Sequence, residues 1–217
     1  MTFGARVDDD HFNAYSFANN VWTMYDKSGT RYLFGASDNS LQNASASSTQ
    51  IYKWMLQEIR DTNNNYIRYV YTKDSGQIYP SQILYTGNGT DGVFLVTFTT
   101  ASRPDKRVNY LPGFKVTTNS RISQITAAVN GNVVREYNLS YTAGNNGLRS
   151  LLSSVQENGY DANHQNMVAY PALSLNYINT TSPFVAPHSN GAITGPSWVI
   201  ADVNGNGVND ATSFSSN

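Results

Sequence analysis

The residues whose types and spacing could do chemistry lie near the C-terminus, in Asp202-Val203-Asn204-Gly205-Asn206-Gly207-Val208-Asn209-Asp210. Side-chain oxygens recur at loop positions 1, 3 and 5 (Asp202, Asn204, Asn206), Gly207 at position 6 permits a sharp turn, and Asp210 stands at position 9. Ca²⁺ takes about six to eight hard oxygens, and a tight loop of alternating Asp and Asn supplies them. The expected ligands are the side chains of Asp202, Asn204, Asn206 and Asp210 and the carbonyl of Val208. Asn in place of Asp lowers the ligand charge, which predicts weak affinity suited to extracellular calcium. The competing reading is an Asn-Gly-rich turn that binds nothing. An EF-hand would need Glu at position 12, where this chain has Ser213, and no helical pattern flanks the loop.

Other constellations are weaker. His11, His164 and His188 are scattered and lack carboxylate company at ligand spacing, so each reads as a surface or packing residue. No G-x-S-x-G elbow is present, and Gly87-Asn88-Gly89 is a turn rather than a dinucleotide fingerprint. Glu58 with Asp61, and Glu136 or Glu157, could pair for glycoside chemistry, but solvated strand positions are the better reading. Arg103, Lys106 and Arg107 form a small basic cluster that reads as a loop face.

Any such residues must be positioned by strands. The chain has 217 residues, 13 % of them charged, a net charge of −1 and no cysteine. Disulfides and cysteine zinc sites are excluded, and nucleic acid is not an electrostatic partner. No apolar run is long enough to span a membrane, and MTFGARVDDD lacks the basic start and apolar core of a signal peptide. Export would make the chain a piece of a longer protein.

The strongest strand signal is Val93 to Thr100, and Asn130-Gly131 is the strongest short hairpin signal. Val21 to Gly35 reads as a hairpin turning at Asp26-Lys27-Ser28-Gly29. From Ile51 to Tyr71 an apolar run, a polar turn at Asp61 to Asn65 and a Tyr-rich return predict another. Ile51 to Ile59 also fits a helix face, but β-favouring residues and the turn behind it favour a strand bulged near Gln57–Glu58. Asn64 falls where φ must be positive. Ala36 to Gln50 reads as an exposed loop, and Pro80 as an edge or a strand start. From Thr180 to Pro196 the texture becomes that of a linker. The expected division is an antiparallel β domain over 1–179, a linker over 180–197 and a partial repeat over 198–217.

The hairpins share a plan of apolar strand, Asp/Asn/Gly turn and Tyr-bearing strand: Asp26-x-x-Gly29-x-x-Tyr32, Asp61-x-x-Asn64 with Tyr69 and Tyr71, and Asn130-Gly131 with Tyr137 and Tyr141. Together with Trp22, Ile51-Tyr52-Lys53-Trp54, Ile83-x-Tyr85, Arg103-Pro104-Asp105, Arg121-Ile122 and Arg149-Ser150-Leu151-Leu152, they resemble the Rhs/YD-repeat superfamily. The likeness is nearer to the N-terminal region of SpvB-like and TcB-type toxin-complex proteins, and it covers about Val21 to Ile178. It implies an all-β fold, a large antiparallel sheet of repeated hairpins forming part of a secreted shell, and no catalysis of its own. Its implied partners are other segments or subunits of a larger toxin-like assembly. The loop after Trp198-Val199-Ile200-Ala201 resembles an FG-GAP repeat and implies the start of a β-propeller. An extracellular calcium-dependent adhesin or ligand-binding module is the alternative, and a polysaccharide-active enzyme ranks below both.

Overall fold

The computed structural model describes residues 2–4, 12–45, 49–144, 149–161, 163, 166–177, 198–201 and 210–213. The chain divides into two units, Met1–Tyr177 and Ile178–Asn217. The first is an antiparallel meander. Its early strands are β1 (Thr2–Gly4), β2 (Ala14–Ala18), β3 (Val21–Tyr25), β4 (Arg31–Phe34), β5 (Leu41–Asn43), β6 (Ile51–Trp54) and β7 (Leu56–Arg60). The long strands follow as β8 (Asn65–Asp74), β9 (Gln77–Asn88), β10 (Phe94–Asn109), β11 (Val116–Val129), β12 (Asn132–Ala143) and β13 (Ser150–Tyr160). Short strands β14 (Met167–Ala169) and β15 (Leu173–Ser174) both pair with β13. All but β5 and β6 join one 13-stranded sheet in sequence order, while β5 and β6 form their own ribbon between β4 and β7. The second unit contains the hairpin of β16 (Trp198–Ala201) and β17 (Asp210–Ser213). Among the described residues no helix is long and apolar enough to cross a membrane.

Turn chemistry sets the hairpins. Asp26 Oδ1 accepts the amides of Ser28 and Thr30, and Gly29 takes φ of 83°. Asp61 Oδ1 accepts those of Asn63 and Asn65 in the same pattern, with Asn64 at φ 66°. The Ser28 hydroxyl, which also donates to Asp26, and the Asn65 side-chain amide, which also donates to Asp61, contribute most to holding the two carboxyls below the ordinary value, with the backbone amides adding to it. Asn130 and Gly131 both have positive φ, the mirror-image turn that matches strand twist. Replacing Asn64 by Ala is expected to cost about 1 kcal/mol, because Ala pays the left-handed penalty without Asn's local bonding. Asn64→Gly should be close to neutral, and urea midpoints of the two variants check the ordering.

Two expectations need correction. Ile51 to Ile59 is two strands, broken at Met55, whose amide donates to Ser40 and whose carbonyl accepts from Gly35. The expected bulge is real, because Leu33 pairs with Glu58 and Phe34 with Leu56, leaving Gln57 extra. Ala36 to Gln50 is not wholly an exposed loop, since Ser40, Gln42 and Asn43 are buried. They are satisfied by distant partners: Ser40 by Gln57, Gln42 by the Gly76 carbonyl, and Asn43 by Asp38 and Lys73. Asn158-Gly159, a pair often found in turns, lies within β13, where Asn158 donates to Glu136 and Gly159 lies beneath Tyr170. Pro80 is tolerated inside β9 because it sits at a bulge against β8 and β10 pairs only with Gln82 to Tyr85.

Register then sorts side chains onto two faces, because neighbouring residues along a strand point oppositely. One row runs Ala128, Leu95, Leu84, Arg68, Glu58, Leu33. Two residues along, on the same face, lie Asn158, Glu136, Thr126, Thr97, Gln82 and Val70. The opposite face carries Ile59, Tyr32, Met24 and Tyr15 at one end and Ile125, Phe98 and Tyr137 at the other. Tyr85 stacks on Phe94 between them, with centroids 5.1 Å apart. This apolar face is only half-buried. Among the described residues the buried apolar side chains are Tyr66, Tyr79, Val116 and Ala128, few for a sheet of this size.

Candidate functional site

A charged row crosses β4, β7 and β8. Glu58 Oε1 accepts from Arg31 and from Arg60 Nε at 2.8 Å, and its Oε2 from Arg60 Nη2 at 3.0 Å. Its side chain is 11 % exposed. The Glu58 carboxyl is held below its ordinary value, Arg60 contributing most and Arg31 next, against the upward push of burial. Glu58 is therefore not a solvated strand position. A leucine pairs opposite it on β4, but the intervening bulge and the two flanking arginines bury and neutralise it.

The row continues through Tyr66, whose ring has Arg60 over it at 4.5 Å and Arg68 at 5.3 Å. The Tyr66 hydroxyl donates to Asp91 at 3.0 Å, and Arg68 pairs with the same carboxylate. Cross-strand to Tyr66 is Gly87, where any Cβ would sit 2.4 Å from ring atoms. Only glycine leaves room for that ring. The remaining candidate carboxylates are also engaged: Asp61 in its turn, Glu136 by Asn138 and Asn158, and Glu157 by Arg135. Each is a structural acceptor.

A second cluster gathers motifs that lie far apart in sequence. Between Ser102 and Arg107 the strand β10 bulges, setting five steps against the two from Ser120 to Thr118 on β11. Arg103 and Asp105 in that bulge form a two-bond ion pair, Nε to Oδ1 at 3.1 Å and Nη2 to Oδ2 at 2.7 Å. Asp105, 7 % exposed, also accepts the amide of Ser150 at 2.8 Å and its hydroxyl, which ties β10 to the first residue of β13. Arg103 and then Ser150 hold the Asp105 carboxyl far below the usual carboxylate range. The basic stretch Arg103 to Arg107 is thus a strand bulge with one arginine committed to a clasp, not a loop face.

The third place is an aromatic cleft of about 510 Å³ lined by Tyr15, Trp22, Phe34, Tyr52, Lys53, Trp54 and Met55. The β5–β6 ribbon lines one side of it through Tyr52, Lys53 and Trp54. Trp54 Nε1 donates to the Asn20 carbonyl at 2.8 Å, and its ring meets Phe17 edge-on at 6.0 Å. Gly35, with φ of 73°, lets the ribbon in, since a Cβ there would lie 2.4 Å from Trp54 Cδ1. Aromatic content was legible in the sequence, but nothing local said that Tyr52 and Trp54 fold over Trp22.

Of the sequence-predicted calcium ligands, Asp202, Asn204, Asn206 and Val208 lie outside the described residues, as do His11, His164 and His188. Asp210 opens β17, paired with Ala201. Among the described residues no group of three His, Asp or Glu side chains converges as metal ligands would.

Comparison with known proteins accounts for the sheet. Residues 6–124 match the profile of SpvB, the Salmonella virulence plasmid 65kDa B protein, which is more than half of the chain. The chain belongs to the SpvB family. No curated protein sequence matches it. Among solved structures, the SpvB-family chain is similar to TcdB2-TccC3-TEV, with a TM-score of 0.70 and 18 % identity over 97 % of this chain and 13 % of that one. It is similar to the Photorhabdus luminescens Tc holotoxin pore, with a TM-score of 0.66 and 18 % identity over 93 % and 13 %. The N-terminal domain of effector protein SpvB from Salmonella typhimurium strain LT2 follows at 0.50 and 15 % identity over 79 % and 67 %. The SpvB-family chain thus spans 11–13 % of the toxin-complex chains it matches, and at these identities the likeness establishes the all-β fold.

Proposed function

We propose that this SpvB-family chain is a non-enzymatic structural module of a secreted toxin-complex-like protein, supplying a wall to a larger β assembly. The observation that carries this is the half-buried sheet. Leu33, Leu84 and Leu95 on one face and Ile59, Tyr85, Phe98, Ile125 and Tyr137 on the other all stay half-buried along the strands. A sheet whose apolar side chains are only half-buried gains from a second layer packed on it, and apolar surface left in this way marks an interaction surface. The carboxylates support the same reading, since Glu58, Asp105, Glu136 and Glu157 are committed to neighbouring arginines, amides or hydroxyls. Other segments or subunits of the assembly would cover that apolar surface. The test is dye binding and light scattering on the isolated chain. Binding of a hydrophobic dye in native buffer together with self-association is expected, and a monodisperse monomer that binds no dye would overturn the reading.

The organisation proposed with it keeps 1–179 as the wall, 180–197 as a linker and 198–217 as a partial FG-GAP-like repeat that starts a propeller. The repeat is proposed to hold Ca²⁺ weakly through Asp202, Asn204, Asn206, Val208 and Asp210. Calcium that binds only the folded loop raises the melting temperature by mass action. Adding calcium after chelator should therefore raise the Tm of the unit holding this loop, and an unchanged Tm counts against the site.

A further inference from the structure

The pocket beside the Asp105 clasp is built from β10, β11, the end of β12 and the start of β13. It has a volume of about 180 Å³ and is lined by Pro104, Asp105, Arg121, Tyr141, Arg149 and Ser150 among others. The geometry points to a binding site for a single oxyanion, a carboxylate or phosphate group, held between Arg121 and Arg149.

Charge makes the first argument. The one carboxylate of the lining, Asp105, is already neutralised, because Arg103 takes both of its oxygens and Ser150 bonds both again. Arg121 and Arg149 are then left as two positive charges, and neither takes part in an ion pair of the described residues. Two unopposed guanidiniums at one small concavity attract an anion and repel a cation.

Pre-organisation makes the second. Arg121 lies over the Tyr141 ring at 4.3 Å, and that ring is pinned by its own hydroxyl, which donates to the Ile122 carbonyl at 2.6 Å. Arg121 Nη1 donates to Ser150 Oγ at 2.6 Å. Of about five guanidinium N–H donors, one is used there among the described residues. A planar guanidinium fixed by stacking matches the two oxygens of a carboxylate or phosphate without further ordering cost. The volume also fits. At about 180 Å³ the pocket has room for one such group.

The same chemistry could come from free phosphate or from an Asp or Glu side chain of an adjoining segment. Inorganic phosphate is therefore titrated into the full chain at constant ionic strength with chloride as balance, and a Gly-Asp-Gly peptide capped at both ends is titrated in parallel. Binding is read by calorimetry in the native protein, in R149Q and in R121Q. Arg149 is exposed and outside the clasp, so R149Q should keep the native Tm while weakening binding about ten-fold, the loss of one charge-assisted hydrogen bond. Phosphate binding that R149Q weakens supports a free oxyanion as occupant, and peptide binding without phosphate binding supports a carboxylate from chain. No saturable binding of either, or equal binding by native protein and R149Q, overturns the site.

Discussion

Glu58→Ala is expected to destabilise the sheet by about 3 kcal/mol, because removing one partner of a buried charge cluster strands the others. Arg31 and Arg60, 34 % and 25 % exposed, would be left facing each other across β4 and β7 with no carboxylate between them. At this chain length such a loss lowers Tm by about 6–12 °C. Glu58→Gln keeps the shape and some hydrogen bonding, so its cost should be smaller. The pH dependence carries a definite sign. The folded carboxyl titrates below its ordinary value of 4.5, so the unfolded chain binds more protons as the solution is acidified. Its stabilisation is fully present above 4.5 and disappears as pH falls through the lower, folded value. The gap between native protein and Glu58→Gln should therefore be large at neutral pH and close in acid. A constant gap, or an Ala variant as stable as the native chain, would show that the row contributes nothing.

The second large effect is expected at Asp105→Ala, also about 3 kcal/mol, since it removes the acceptor for Arg103 and for both donors of Ser150. Its signature differs from that of Glu58→Ala. The Ser150 amide, released from its acceptor, should exchange its hydrogen faster while the β7–β8 hairpin amides stay protected. Acid should also affect it differently. Asp105 is held far below the usual range, so the clasp persists through mildly acidic pH that already protonates free carboxyls. Urea titration with hydrogen exchange on the two variants separates the loci. Uniform deprotection across the sheet in both would mean that the clasp has no local role.

Local chemistry was legible. The turns at Asp26, Asp61 and Asn130 follow from Asp oxygens that reach amides two and four residues on, and from residues that tolerate positive φ. The Tyr-rich return after the turn marked the second strand, and the bulge expected near Gln57–Glu58 falls at Gln57. The break at Met55 was not legible, because both halves around it have equally β-favouring residues and only the contact with Ser40 and Gly35 separates them. Nor was the burial of Ser40, Gln42 and Asn43, whose polar types match a loop until distant partners satisfy them.

By itself, then, the sequence determined the strand-and-turn order, the all-β class and the SpvB resemblance that the family match bears out. These depend on side-chain alternation and turn geometry within a few residues. Tertiary structure alone decided which charges meet. Arg31 reaches Glu58 across 27 positions, and Asp105 reaches Ser150 across 45. Such pairs depend on register, and each bulge shifts register by a residue and turns the following side chains to the other face. Glu58 and Asp105 therefore look like surface carboxylates in the chain and become buried anchors once the strands align.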